Sequence, residues 1–271
     1  MTNEKKTKQT KKTPDRTAAR FRFWPVLCAI EAAALLCLCT VFILHTNAPP
    51  PADILTLYAE PDLSETVWPE EKEPFAAAGI RYREREAAFM RFPGGPVDLC
   101  CMGDSITQQF EWRDAFPGLR VASRGIGGDT TSGILARLDS VAATEPKVIS
   151  LMAGANDMGE EGWTPEGIAA NFCTILVELH SRLPEAKFIV SSMLPTSASH
   201  PNRPEDMLAV NAELAVLCEE MDIVYLDMFQ AFADENGDLQ PAYSLDGIHL
   251  TSTGYALWLS YLAPAAVAAL E

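Results

Sequence analysis

The sequence predicts an α/β fold: a three-layer, doubly wound, five-stranded parallel sheet with helices on both faces, preceded by one N-terminal transmembrane helix. Three observations carry that expectation. Five short runs, at 97–102, 119–123, 147–153, 187–194 and 223–228, are mostly continuous apolar sequence, as in parallel strands buried on both faces. The segments between them repeat apolar residues at helical period, so strands and helices alternate. The N-terminal part instead holds a single long apolar run, Phe23 to Leu44, behind a basic tail.

A length of 271 residues leaves room for one sizeable domain plus attachments. Residues 1–22 hold eight Lys/Arg against Glu4 and Asp15, whereas the remainder holds 13 Lys/Arg against 35 Asp/Glu, a net of −22. A body that acidic repels nucleic acid and anionic membrane surfaces. The 22 residues from Phe23 to Leu44 rise about 33 Å at ~1.5 Å each, enough to cross a hydrocarbon core of ~30 Å. Glu31 opposes insertion by roughly 2–3 kcal/mol, which the flanking Leu, Ile, Val and Phe offset. The reading is a basic cytoplasmic tail at 1–22, an uncleaved single-pass anchor at 23–45 and a Pro-rich acidic spacer at 46–74. The domain at 75–271 is then held outside the membrane, at a bacterial cell surface. Signal cleavage after Ala48 is the alternative, opposed by Pro49, and a buried soluble helix is a third reading.

Within the domain, 71–91 reads as a helix with Arg81, Arg83 and Arg85 on its polar side. The first strand, 97–102, runs into Gly103-Asp104-Ser105, and a helix starts over 106–112. Ile134, Leu138 and Val141 line one later helix. Ile168, Phe172, Ile175, Leu176 and Leu179 line the next, which opens on Thr164-Pro165, a cap and a first-turn proline. Val210, Leu214, Leu217 and Cys218 line a fourth, and a last helix spans about 252–269 with an interruption at Pro264. Of seven cysteines, Cys28, Cys37 and Cys39 fall in the apolar run, and Cys100 and Cys101 point to opposite faces of one strand. Those two, with Cys173 and Cys218 on apolar helix faces, are expected as buried free thiols.

The carboxyl ends of the expected strands collect chemistry. Ser105 follows the first and Ser123-Arg124-Gly125-Ile126-Gly127-Gly128-Asp129-Thr130 the second. Gly154-Ala155-Asn156-Asp157 follows the third, and Asp246-Gly247-Ile248-His249 comes after the fifth, past a turn at Asn236-Gly237. In open α/β sheets that edge is where ligands bind. A hydroxyl, a glycine turn, a carboxamide, a carboxylate and an imidazole together are the parts of acyl transfer. Each part also has a plainer reading. Gly-Asp-Ser is a common helix-capping turn, Asn156 a turn residue, Asp246 a turn acid and His249 a core or surface histidine. The glycine run as a phosphate cradle lacks the G-x-G-x-x-G spacing and a P-loop lysine. Asp246 and His249 as metal ligands need more ligands, and His45, His180 and His200 are scattered; no cofactor is expected.

The joint occurrence of the four segments in this order resembles the SGNH (GDSL-type) hydrolase family. Within it the chain is similar to the platelet-activating-factor acetylhydrolase-like and bacterial acetylesterase branch, on Arg124-Gly125-Ile126-Gly127-Gly128-Asp129-Thr130-Thr131 and Asp246-Gly247-Ile248-His249-Leu250-Thr251. One departure is Ser123, where many members carry Asn. The resemblance covers about 75–270 and implies a flavodoxin-like sheet. It also implies Ser105 as nucleophile, His249 as base, Asp246 as its orienter, and Ser105, Gly128 and Asn156 as oxyanion donors. No G-x-S-x-G elbow surrounds Ser105, which sets the α/β-hydrolase fold aside. The loops at 195–205 and 229–245 carry no lid-like apolar run, and Phe229, Phe232 and Tyr243 are too few to line an acyl tunnel. A shallow site for short acyl, O-acetyl esters of carbohydrate follows as the expectation. A lysophospholipase or thioesterase on lipid, or a non-catalytic glycan-binding module, are the alternatives; oligomeric state is left open.

Overall fold

In the computed structural model, residues 74–160 and 162–271 are described; the expected tail, anchor and spacer up to residue 73 lie outside them. Helix α1, Pro74–Arg91, leads to β1, Leu99–Gly103, then the short helices α2, Ser105–Gln108, and α3, Trp112–Ala115. Strand β2, Val121–Gly125, is followed by α4, Thr131–Ala136, and α5, Leu138–Ala142. Next come β3, Val148–Met152, α6, Pro165–Arg182, and β4, Lys187–Ser191. The chain ends with α7, Pro204–Glu220, β5, Val224–Leu226, α8, Phe229–Phe232, and α9, Ser252–Leu270.

All ladders are parallel, in the order β2-β1-β3-β4-β5. The order reverses between β1 and β3, and the crevice outside that switch point is where such sheets bind ligands. Alternation along the strands feeds two cores. Cys100, Met102, Ile149, Leu151 and Val190 face α4 to α7, and Leu99, Cys101, Val148, Met152 and Ile189 face α3 and α9. Cys100 and Cys101 therefore lie on opposite faces, as the strand period requires. Cys173 is only half-buried, unlike the other three described thiols.

The strand limits differ from the apolar runs because hydrogen bonds made far away in sequence set them. Asp98, inside the expected first strand, sits at the strand's entrance. Its carboxylate takes Arg120 N–H at 2.9 Å and Lys147 Nζ at 2.9 Å. Strand β2 runs two residues later than its apolar run, through Arg124, which is buried. As the outer strand β2 presents carbonyls at its open edge, and guanidinium groups cover them: Arg113 on Val121, Arg124 on Ser123 and Arg85 on Gly125. Capping an edge this way blunts its pairing with another chain. Arg85 thus serves the sheet instead of the solvent face expected of it. Strand β4 stops at Ser191, three residues early, because the Asn211 carboxamide takes over both backbone groups of Met193, at 2.8 and 3.0 Å.

Two expected helices are broken in two. The one over 106–112 divides at Gln109, and the one lined by Ile134, Leu138 and Val141 divides at Arg137, with φ −120° and ψ 24°. Conversely, Pro264 does not interrupt α9. Ser260 and Pro264 are both exposed, so the carbonyl that the proline leaves without an N–H faces water. The apolar α9 is long enough to cross a membrane by length and composition, but Tyr255, Trp258, Leu262 and Ala266 are buried against the sheet.

Candidate active site

The turn after β1 is built for close approach. Asp104 caps α2, its Oδ1 accepting from Ile106 N at 2.9 Å. Tyr255 Oη donates to Ile106 O at 2.7 Å and Trp112 Nε1 to Thr107 O at 2.7 Å, so an aromatic cluster of Phe110, Trp112, Tyr255 and Trp258 braces the helix from below. At Gly125 a Cβ would collide with the Gln108 backbone, which is why the end of β2 must be glycine to lie against this turn. Gln108 Oε1 then accepts Gly127 N–H at 2.6 Å, and a Cβ on Gly127 would stand 3.6 Å from Ser105 Cβ. Gly128 follows at φ +77°, a left-handed conformation that favours glycine.

Ser105 Oγ lies 3.0 Å from His249 Nε2, and His249 Nδ1 lies 2.7 Å from Asp246 Oδ2. Asp246 Oδ1 accepts the backbone N–H groups of His249 at 2.8 Å and Ile248 at 3.1 Å. The carboxylate facing Nδ1 places the proton there and turns the Nε2 lone pair toward the serine hydroxyl. That hydrogen bond, reinforced by the two backbone donors, holds the Asp246 carboxyl well below its ordinary range. Asn156 Nδ2 donates to Asp129 O at 2.9 Å, leaving its second amide hydrogen for another acceptor. Ser105 N–H is the first of its helix and has no intrahelical acceptor. The structure thus brings together Ser105, Asp246 and His249, sets Gly127, before Gly128, close to Ser105, and ties Asn156 to Asp129, the residue after Gly128.

Sequence reasoning missed the residues that hold these groups. Asn202 Nδ2 donates to Ala155 O at 2.9 Å and Ser197 N to Gly247 O at 2.8 Å, so the 195–203 loop straps the asparagine segment to the histidine segment. Thr131, through its hydroxyl and its N–H, is bonded to the Asp157 carboxylate. Phe229 and Phe232 are buried in the core and do not line the site. The missed signal was Arg137, a charge at an apolar-face position of the expected helix.

Burial raises the Asp104 carboxyl to about 7 and the Asp129 carboxyl to about 6. A folded-state pKa above the unfolded value of ~3.9 stabilises the protein fully below that value, and the contribution is lost as pH rises through about 7. Asp104→Asn keeps the cap but does not titrate. The melting temperature of the parent minus that of Asp104→Asn, followed from pH 4 to 8, is therefore expected to fall as pH rises. The depression of the His200 pKa acts in the opposite direction but is common to both proteins and cancels. A pH-independent difference would contradict the buried acid.

Residues 101–257 match the GDSL-like Lipase/Acylhydrolase family. The chain is 32% identical over 166 residues to the Homo sapiens platelet-activating factor acetylhydrolase IB subunit alpha2, covering 59% of this chain and 71% of that one. Its fold is similar to that of a GDSL-like lipase from Bacteroides thetaiotaomicron, with TM-score 0.59 and 26% identity over 68% of this chain and 99% of that one. It is also similar to that of Axe2, an acetylxylan esterase from Geobacillus stearothermophilus, with TM-score 0.52 and 21% identity over 64% and 95%. With a serine-bearing turn at the switch point of its sheet and this match across more than half its length, the chain belongs to the GDSL-like lipase/acylhydrolase family and is an acyl ester hydrolase.

Proposed function

We propose that the chain is a membrane-anchored, extracytoplasmic serine esterase that removes short acyl groups, O-acetyl above all, from carbohydrate. The observation that carries the chemistry is the hydrogen-bonded line from Asp246 through His249 to Ser105. Ser105 Oγ attacks the ester carbonyl while His249 Nε2 takes its proton. The same imidazolium, held by Asp246, returns the proton to the departing alcohol, and water repeats the cycle on the acyl-serine. Ser105 N–H, Gly128 N–H and the free Asn156 amide hydrogen serve the oxyanion. No metal or cofactor enters these steps.

Short acyl groups are supported by the loops at 195–205 and 229–245, which carry no lid-like apolar run. A cavity of about 10 Å³, lined by residues including Asp104, Ala153, Ala155, Met193, Pro195 and Ile248, adjoins the segments of Ser105, Asn156 and His249. That is room for about one methyl-sized group. The acetylhydrolase name of the relative at 32% identity fits the same acyl group. Carbohydrate is supported by the charge of −22 outside the tail, which disfavours anionic lipid surfaces and nucleic acid alike. Anchoring at a bacterial cell surface, with the N-terminus cytoplasmic, is supported by the basic tail and apolar run. One observation favours lipid instead: Leu245, beside Asp246, is 93% exposed and offers an apolar contact near the site.

A series of p-nitrophenyl esters separates the two. The expected result is that kcat/KM is greatest for acetyl and falls steeply beyond about four acyl carbons, since the loops at 195–205 and 229–245 offer a longer chain no lid-like apolar cover. Octanoyl esters cleaved faster than acetyl would put the lipid reading first. Assayed on the full chain, the activity is expected to sediment with membranes; soluble activity with an N-terminus at Pro49 would show a cleaved signal instead.

A further inference from the structure

Ser105, Gly128 and Asn156 stand on three separate segments, and one buried side chain ties the three together. Arg137 Nη2 donates to Gly103 O at 3.1 Å, two residues before Ser105. Its Nε pairs with Asp129 Oδ2 at 2.7 Å, next to Gly128, and the carbonyl of the same Asp129 accepts the Asn156 amide at 2.9 Å. The side chains of Arg137 and Asp129 are 0% and 1% exposed.

The fold gives up local stability to make this arrangement. The helix breaks at Arg137, whose backbone leaves helical geometry between α4 and α5. Within α4, Gly133 is favoured because a Cβ there would collide with Asp129 Oδ1, although glycine inside a helix is less stable than alanine. A buried ion pair does not recover such costs by itself, since desolvation offsets much of the attraction and an apolar pair is often as stable. The Asp129 Oδ1 and Arg137 Nη1 atoms even lack a protein hydrogen-bond partner. The arrangement makes sense for what it positions.

We propose that Arg137 is a positioning residue of the oxyanion site, acting through Gly103 and Asp129 to set the spacing of the Ser105 N–H, the Gly128 N–H and the Asn156 amide. The proposal rests on the oxyanion reading above. Arg137→Lys keeps the charge but has one nitrogen, which cannot serve both Asp129 and Gly103 in the same fork.

The test is a double-mutant cycle on p-nitrophenyl acetate hydrolysis with Arg137→Lys, Asn156→Ala and the pair, each checked for folding by circular dichroism. Arg137→Lys is expected to lower kcat by about 10- to 100-fold with KM within about threefold of the parent, as a misplaced donor does. The pair is expected to lose clearly less than the product of the single losses, because both variants act on one group of donors. Should Arg137→Lys fail to fold, Asp129→Asn replaces it under the same criteria. Losses that multiply, an effect on KM alone, or parental kcat in the Arg137 variant while Asn156→Ala is slow would overturn the role of Arg137. Parental kcat in Asn156→Ala would instead overturn the oxyanion reading itself, and the proposal with it.

Discussion

Ser105→Ala and His249→Ala are each expected to lower kcat for a short acyl ester by about 10⁴-fold or more, with the fold intact. Without the hydroxyl there is no covalent acceptor for the acyl group, and the hydrolysis left is that of water beside the oxyanion donors. Without the imidazole, Ser105 keeps its proton at neutral pH and attacks as a poor nucleophile. The double variant is expected to be little worse than either single one, because the two side chains act as one unit across their 3.0 Å hydrogen bond. Neither change removes a core side chain: Ser105 is half-buried, and the His249 side chain is 30% exposed. Equal melting temperatures with lost turnover would show chemistry and not unfolding. Independent, multiplying losses would count against a shared proton path.

The second large effect is expected at Asn156. Asn156→Ala should lower kcat by about 100- to 1,000-fold while KM stays close to the parental value. On the proposed oxyanion role the amide would act where negative charge develops on the carbonyl oxygen, so its loss would be felt in the transition state and little in the ground state. Its donor is already aimed, since one amide hydrogen is held by Asp129 O at 2.9 Å. Asn156→Asp should be slower still, because a carboxylate there repels the oxyanion. A variant that raised KM and left kcat unchanged would make Asn156 a substrate-binding group instead.

Much of this site was legible because its parts are local. Asp246 and His249 are three residues apart, and one turn lets the same carboxylate take the imidazole and two backbone N–H groups. Gly103-Asp104-Ser105 is a strand end and a helix start in consecutive residues, and the apolar runs announced the parallel strands on either side of it. What escaped depends on pairs distant in sequence. Arg137 reaches Gly103 across 34 positions and Asn202 reaches Ala155 across 47. Periodicity read 134–141 as one helix because Ile134, Leu138 and Val141 do share a core; Arg137 beside that apolar face was the one sign of an inward charge, and the spacing does not show that the backbone breaks there. Strand β2 was displaced for a similar reason, as Arg124 looks like a surface residue until Ser140, Ser123 and Pro93 offer their carbonyls to its guanidinium. The anchor read from Phe23 to Leu44 lies outside the described residues.

The most direct test of the central claim is covalent labelling of the active chain with a fluorophosphonate, followed by mass spectrometry of the digested protein. A single adduct on Ser105, formed in step with loss of esterase activity, absent from Ser105→Ala and strongly slowed in His249→Ala, is the result this account predicts. An adduct on another residue, or ester hydrolysis that survives in Ser105→Ala, would contradict it.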